Sequence, residues 1–177
     1  LQKKLKEMEA KLSGGRLAFE QNAMVPIELL EAVFPLIVDM QRFIVLVERQ
    51  KDLAERAATF KGHDKEDNSA LKARMREIEE QQRQVRESLG DLLDDIEEHA
   101  TRLPEKPELE KLRQSAMTFV KDVRSSGATE AMTEAETAFG EFAGTRGHEQ
   151  AAKAAQILAR FVKRCNGMGG QCQGAMV

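Results

Sequence analysis

The chain has 177 residues, with Lys plus Arg at 27 against Asp plus Glu at 30, a formal net charge of -3 and the two signs interleaved; this excludes the basic footprint of a nucleic-acid binder. Aromatics make up 5%, and Trp and Tyr are absent. The abundant Ala, Glu, Lys, Arg, Gln, Leu and Met lose little side-chain freedom in a helix, so a sheet-dominated fold is excluded and the class is all-α.

At 41% hydrophobic and 32% charged, the chain is too apolar for full disorder and too polar for a membrane protein. Its most apolar stretch, Ala23 to Val47, carries Glu28, Glu31, Asp39 and Arg42 together with two prolines. Four charges in a hydrocarbon layer would be costly, so the stretch is read as protein core and no membrane span is expected. The compartment stays open between cytoplasm and a bacterial envelope.

Leu1, Leu5, Met8 and Leu12 follow a 4-3-4 apolar spacing from the first residue, which predicts a segment that begins inside a helix of a longer protein. Ser13-Gly14-Gly15 breaks it, and a short helix is expected from Arg16 to about Met24. Pro26 and Pro35 read as first-turn prolines, giving a short piece from Pro26 to Phe34 and a long helix from Pro35 to Phe60. The long helix carries Leu36, Ile37, Met40, Phe43, Ile44, Leu46 and Val47, apolar around most of its circumference, so it must be covered on several sides. These elements, 1–60, form an N-terminal group. The polar run Lys61 to Asn68 ends it.

Leu71, Met75, Ile78, Gln82, Val85, Leu89, Leu92, Ile96, His99 and Leu103 step alternately by four and three, and eight of these ten seam positions are apolar. That predicts one long coiled-coil-like helix over about 69–103, roughly 50 Å long. Gly90 lies off the seam as a soft spot. Leu-Pro-Glu-Lys-Pro at 103–107 is a turn, after which Leu109, Leu112, Ala116, Phe119 and Val123 repeat the spacing until Ser125-Ser126-Gly127. This helix is half the length of the long one, so it is expected to cover only the C-terminal half of the seam. The N-terminal half would be covered by 35–60 or by another chain, and the long helix would bridge two small bundles. Helices Thr129 to Ala143 and His148 to Cys165, joined at Gly144–Gly147, complete a C-terminal region over 107–165, with Ala152, Ala155, Leu158, Ala159 and Val162 inward in the last. Residues 166–177 read as a flexible Gly-rich tail.

Candidate chemistry is sparse. Asp91, Asp94, Asp95, Glu97 and Glu98 precede His99 with no base among them, and Asp95 with His99 at i,i+4 is the one pair suited to a helical-bundle metal site. A solvated acidic face or a docking surface for a basic partner explains the same run. Gln82 and His99 interrupt the seam, either as selectors of register or partner or as edge positions that reach water. Cys165 and Cys172, six residues between them, permit a disulfide in an oxidising compartment or two thiols in a reducing one; neither has Cys or His neighbours at zinc spacing. His148 is a helix length from Cys165, and His63 sits in a polar loop. No catalytic, cofactor or metal residue set is assigned.

The pair from Met132 to Arg164 resembles a tetratricopeptide hairpin, with Gly140 at the family's first-helix glycine and Gly147, Ala152 and Ala159 at its small positions. The family's Trp, Tyr and Pro positions are here Glu136, Ala143 and Arg164, and its later aromatic is Gln156. The resemblance implies packing of a helix pair. Arg49 to Arg56, Gln81 to Arg86 and the Gly/Gln/Met tail resemble large uncharacterised multi-helical bacterial proteins, some of them envelope-associated.

The expectation is therefore an elongated antiparallel helical bundle with a C-terminal hairpin, acting as a non-enzymatic scaffold or protein-interaction segment of a larger protein, with possible self-association through the long helix. A helical-repeat peptide binder and a helical-bundle metalloprotein are the alternatives.

Overall fold

The computed structural model describes residues 25–174 along the backbone, and the side chains of residues 27–168. The expected helices over 1–24 and their Ser13-Gly14-Gly15 break lie outside the described residues. Five α-helices follow in order: α1 (Val25–Ala57), α2 (Ser69–Arg102), α3 (Pro107–Arg124), α4 (Ala128–Gly140) and α5 (Gly144–Gly174), with a short 3-10 turn at Ala58–Phe60 after α1. They pack together as an all-α bundle.

α1 is one helix of 33 residues, and Pro35 lies inside it, so the expected boundary at Phe34 is corrected. An interior proline forgoes the hydrogen bond to the carbonyl four residues back and costs about 3 kcal/mol. Val33, Leu36, Met40 and Phe43 are all buried around it; burial of apolar side chains at about 1.5–3 kcal/mol each carries the helix through.

α2 matches its pattern closely. Asn68 caps its start, its side chain accepting from Ala70 N at 3.1 Å and Leu71 N at 3.2 Å. Met75, Ile78, Gln82, Val85, Leu89, Leu92 and Ile96 are buried, as are Leu93 and Ala100. α1 runs antiparallel along the C-terminal two thirds of it, from Glu77 and Gln81 beside Arg56 to His99 beside Asp39.

The expected division into two bundles bridged by α2 is also corrected. α3 and α4 lie end to end as two halves of one leg. Near the end of α3, Arg124 reaches Asp94 and Glu97 in the C-terminal half of α2, whereas Glu136 of α4 holds Arg83 and Arg86 in its N-terminal half. The break at Ser125-Ser126-Gly127, with Gly127 at φ 82°, is a joint within a leg. α5 then returns along α1, its most extensive neighbour, and along α4. Phe119 meets Phe43 of α1 edge-on at 5.0 Å and Phe161 of α5 at 5.9 Å, so α1, α3 and α5 share one core.

α5 begins at Gly144 and continues to Gly174, so the expected joint at 144–147 and the tail from 166 are both corrected. Its start is fixed from the loop before α2: Thr145 N donates to Asp64 Oδ1 at 3.0 Å and Thr145 Oγ1 to Oδ2 at 2.6 Å. Its extension follows from burial of Cys165 and Met168 at 1% and 4% exposure, which offsets the poor helix propensity of Gly167. The inward stripe is shifted from the expected one: Ala151, Ala154, Ala155 and Leu158 are buried, while Ala152, Ala159 and Val162 are half-buried. α4 ends with Phe142 at φ 59° and a hydrogen bond from Ala143 N to Ala138 O at 2.8 Å, a helix stop usually made by glycine. The guanidinium of Arg76 over the Phe142 ring, 4.9 Å from its centroid, helps hold that side chain there.

Candidate functional site

Two polar contacts fix α1 against α2. Near the middle, Gln50 and Gln82 exchange amide hydrogen bonds, and Gln50 Nε2 also donates to the Ala151 carbonyl at 3.1 Å. Both glutamines are fully buried, so Gln82 does not reach water; it sets register within the chain. Lower down, His99 Nδ1 donates to Asp39 Oδ2 at 2.6 Å, and Arg42 donates to Asp39 at 3.1 Å and to Asp95 at 2.6 Å. The Asp39 side chain is 1% exposed. Asp95 and His99 do share a face, as their spacing implies, but that face meets α1. The guanidinium of Arg42 stands between the two carboxylates and supplies the cation. Among the described residues no group of three or more His, Cys, Asp or Glu side chains is placed to hold a metal ion.

Three more carboxylates of the acidic run, Asp94, Glu97 and Glu98, are also engaged by the chain itself. Arg124 binds Asp94 and Glu97 at 2.6 Å each, and Arg102 pairs with Glu98. Asp91 is exposed. Exposed pairs of this kind add little stability singly, but two carboxylates on one guanidinium orient α3 against α2. The run reads as a solvated acidic face, with a docking surface for a basic partner as the alternative; in the structure Asp94 and Glu97 pair with Arg124 of the same chain.

His148 Nδ1 donates to the Ala54 carbonyl at 3.1 Å, and His63 contacts Glu66 at 2.9 Å in the exposed loop; neither lies near Cys165. Burial pushes the Cys165 thiol up to about 12, the opposite of a nucleophilic cysteine. The Cys172 side chain lies outside the described ones. Gly140 and Gly147 line the α2 and α4 contacts: a Cβ on Gly147 would fall 2.4 Å from the Phe139 ring.

An exposed apolar stripe lies on α1, at positions no sequence pattern marked. Ile27, Leu30, Phe34, Val38 and Val45 are 40 to 57% exposed and recur at helical spacing on the side away from the core. Between this stripe and α2 run two adjoining clefts of about 610 and 590 Å³, which share Val45, Leu46, Arg49 and Ser88 in their walls. Phe34, Val38 and Leu92 line one end, and Leu53, Arg56 and Gln81 the other. Together they form one groove along the α1–α2 seam. The all-round apolar character of α1 was the signal; the side left open was set by tertiary packing. Among the described residues no helix is long and apolar enough to cross a membrane. Compared with known proteins, the chain matches no family model, no curated protein and no solved structure.

Proposed function

We propose that the chain is a non-enzymatic helical scaffold, an interaction segment of a larger protein that offers the outer face of α1 and the groove beside it to an amphipathic helix. The observation that carries this reading is the stripe Ile27, Leu30, Phe34, Val38 and Val45, five of the six large apolar side chains exposed among the described residues. The seam of α2, the expected route to self-association, is occupied within the bundle, so the open apolar face on α1 takes that role. The peptide-binding alternative needs a groove between α4 and α5, and their facing residues Met132, Phe139, Ala154 and Leu158 are buried in the core. The metalloprotein alternative needs Asp95 and His99 available, and Arg42 and Asp39 engage them.

The test is affinity capture from the native host with the wild-type chain and with Phe34→Asp/Val38→Asp as paired baits. Proteins retained by the first and lost from the second, with equal melting temperatures, support the reading. Identical sets on both baits remove it.

A further inference from the structure

The groove beside α1 holds one charge that the chain leaves unmet. Five charged side chains line its two clefts: Arg42, Glu48, Arg49, Asp52 and Arg56. Arg42 is held by Asp39 and Asp95, Glu48 by Lys51, and Asp52 and Arg56 by each other. Arg49 is exposed and, among the described residues, makes no ion pair and no side-chain hydrogen bond. It lines both clefts and so stands where they join, together with Val45 and Leu46 of α1 and the exposed Ser88 of α2. From Phe34 to Arg56 the groove follows about 33 Å of α1 at the usual helical rise.

These walls set the chemistry of what covers them. In the cleft at the Phe34 end, Phe34, Val38, Val45 and Leu92 offer apolar surface, and the charged groups are Arg42 and Arg49 alone. Apolar surface laid on the first four is favoured by burial. The Arg49 guanidinium loses water at the same time; an apolar or basic occupant returns nothing for that loss, whereas a carboxylate returns a charge-assisted pair. The occupant is therefore apolar along one side and acidic beside it. Its backbone form follows by elimination among the ways a peptide is bound. Strand addition needs a sheet edge, and every described element is helical; a polyproline segment needs a groove lined with aromatic rings, and Phe34 is the one ring in these walls; a phosphorylated motif needs a cluster of free arginines, and Arg49 stands alone. A helix laid in the groove is the mode that remains.

We propose that the groove takes an acidic amphipathic helix, with its apolar stripe on Phe34, Val38 and Val45 and a flanking carboxylate at the cleft junction, paired with Arg49 and accepting from the Ser88 hydroxyl. This rests on the reading of the α1 face as the interaction surface and names the charge of its partner.

Two stapled helical peptides of about 20 residues, long enough for the groove, test the assignment on the full chain. Both carry leucine at i, i+3, i+4 and i+7 spacing, and they differ only in having glutamate or lysine along the borders of that stripe. In fluorescence anisotropy titrations the glutamate peptide should bind wild type at least tenfold more tightly than the lysine peptide. Arg49→Glu should invert that order, and Phe34→Asp/Val38→Asp should abolish binding of both. All these side chains are exposed, so the variants keep the wild-type melt. Equal affinity for the two peptides overturns the proposal, as does a glutamate preference that survives in Arg49→Glu, or binding of neither peptide. A wild-type dimer in sedimentation that Phe34→Asp/Val38→Asp reduces to monomer also overturns it, because a second copy would then occupy the groove. Loss of capture by Phe34→Asp/Val38→Asp reads the surface without reference to the peptides' charge, so the two ideas fail separately.

Discussion

Gln50 and Gln82 are hydrogen-bonded to each other through both ends of their amides, at 3.0 and 2.9 Å, with neither side chain exposed. The second amide hydrogen of Gln50 goes to the Ala151 carbonyl, so one buried polar layer pins α1, α2 and α5 at a common height. A half-broken layer is worse than none, because a buried amide left without its partner keeps the full desolvation penalty. We expect Gln82→Leu to cost about 1–3 kcal/mol in urea unfolding, and Gln50→Leu/Gln82→Leu to cost clearly less than the sum of the two single changes. Additive costs would mean that the pair is not coupled.

α2 was legible because a 3.5-residue repeat over 34 residues allows one phase, and the same pattern marked Gln82 as an intruder. Its partner was not legible. Gln50 sits on a helix apolar nearly all round, where no stripe marks the inward side, and the same holds for Asp39 opposite His99. The break at Ser125-Ser126-Gly127 was visible, but a glycine stop is compatible with a fold-back or with a joint inside one leg; the choice is made by Glu136 reaching Arg83 and Arg86. The helix from Cys165 to Gly174 was hidden because glycine content predicts a tail, while Met168 finds a buried place that only the assembled bundle supplies.

Two glycines should respond in opposite directions. Gly90 sits in α2 with nothing within 4 Å of an added Cβ, so Gly90→Ala should stabilise by about 1 kcal/mol through helix propensity alone. At Gly147 the added Cβ meets the Phe139 ring at 2.4 Å. That ring is buried between helices and has little room to yield, so Gly147→Ala should destabilise by about 1–3 kcal/mol. Paired thermal melts read both signs, and a stabilised Gly147→Ala would show that α4 and α5 do not approach as closely as described.

Acid should loosen the α2–α4 contact. Burial by itself pushes the Glu136 carboxyl up, but hydrogen bonds from Arg83 and Arg86 outweigh it and hold it below the ordinary carboxylate range. The folded state thus binds its proton less readily than the unfolded one. The stabilisation is complete above the unfolded value, near about 4.3, and is lost as pH falls through the folded value. Asp64, held low by the Thr145 hydroxyl and backbone N–H, titrates in the same sense. Tm should hold steady down to about pH 5 and fall below about pH 4. Glu136→Gln should melt lower at neutral pH and lose less on acidification; an acid limb as steep as wild type would assign the fall to other groups.

The cysteines give the last test, because helix and disulfide exclude each other here. Cys165 and Cys172 lie seven residues apart on the continuous helix α5, which separates their Cα atoms by about 10.5 Å at the usual rise, beyond the roughly 7 Å a disulfide spans. Bridging them would require α5 to unwind past Arg164 and would draw Cys165 out of the core. The Cys165 thiol, pushed up from 9.0 to about 12 by burial, is about a thousandfold poorer in thiolate near neutrality than an ordinary cysteine. Alkylation of the native protein at pH 8, read by peptide mass spectrometry, should therefore spare Cys165 until denaturant is added. Chain purified from its native host with thiols blocked at lysis should show no internal disulfide. A mass two units low, with both cysteines unlabelled, would place the chain in an oxidising compartment with the end of α5 unwound.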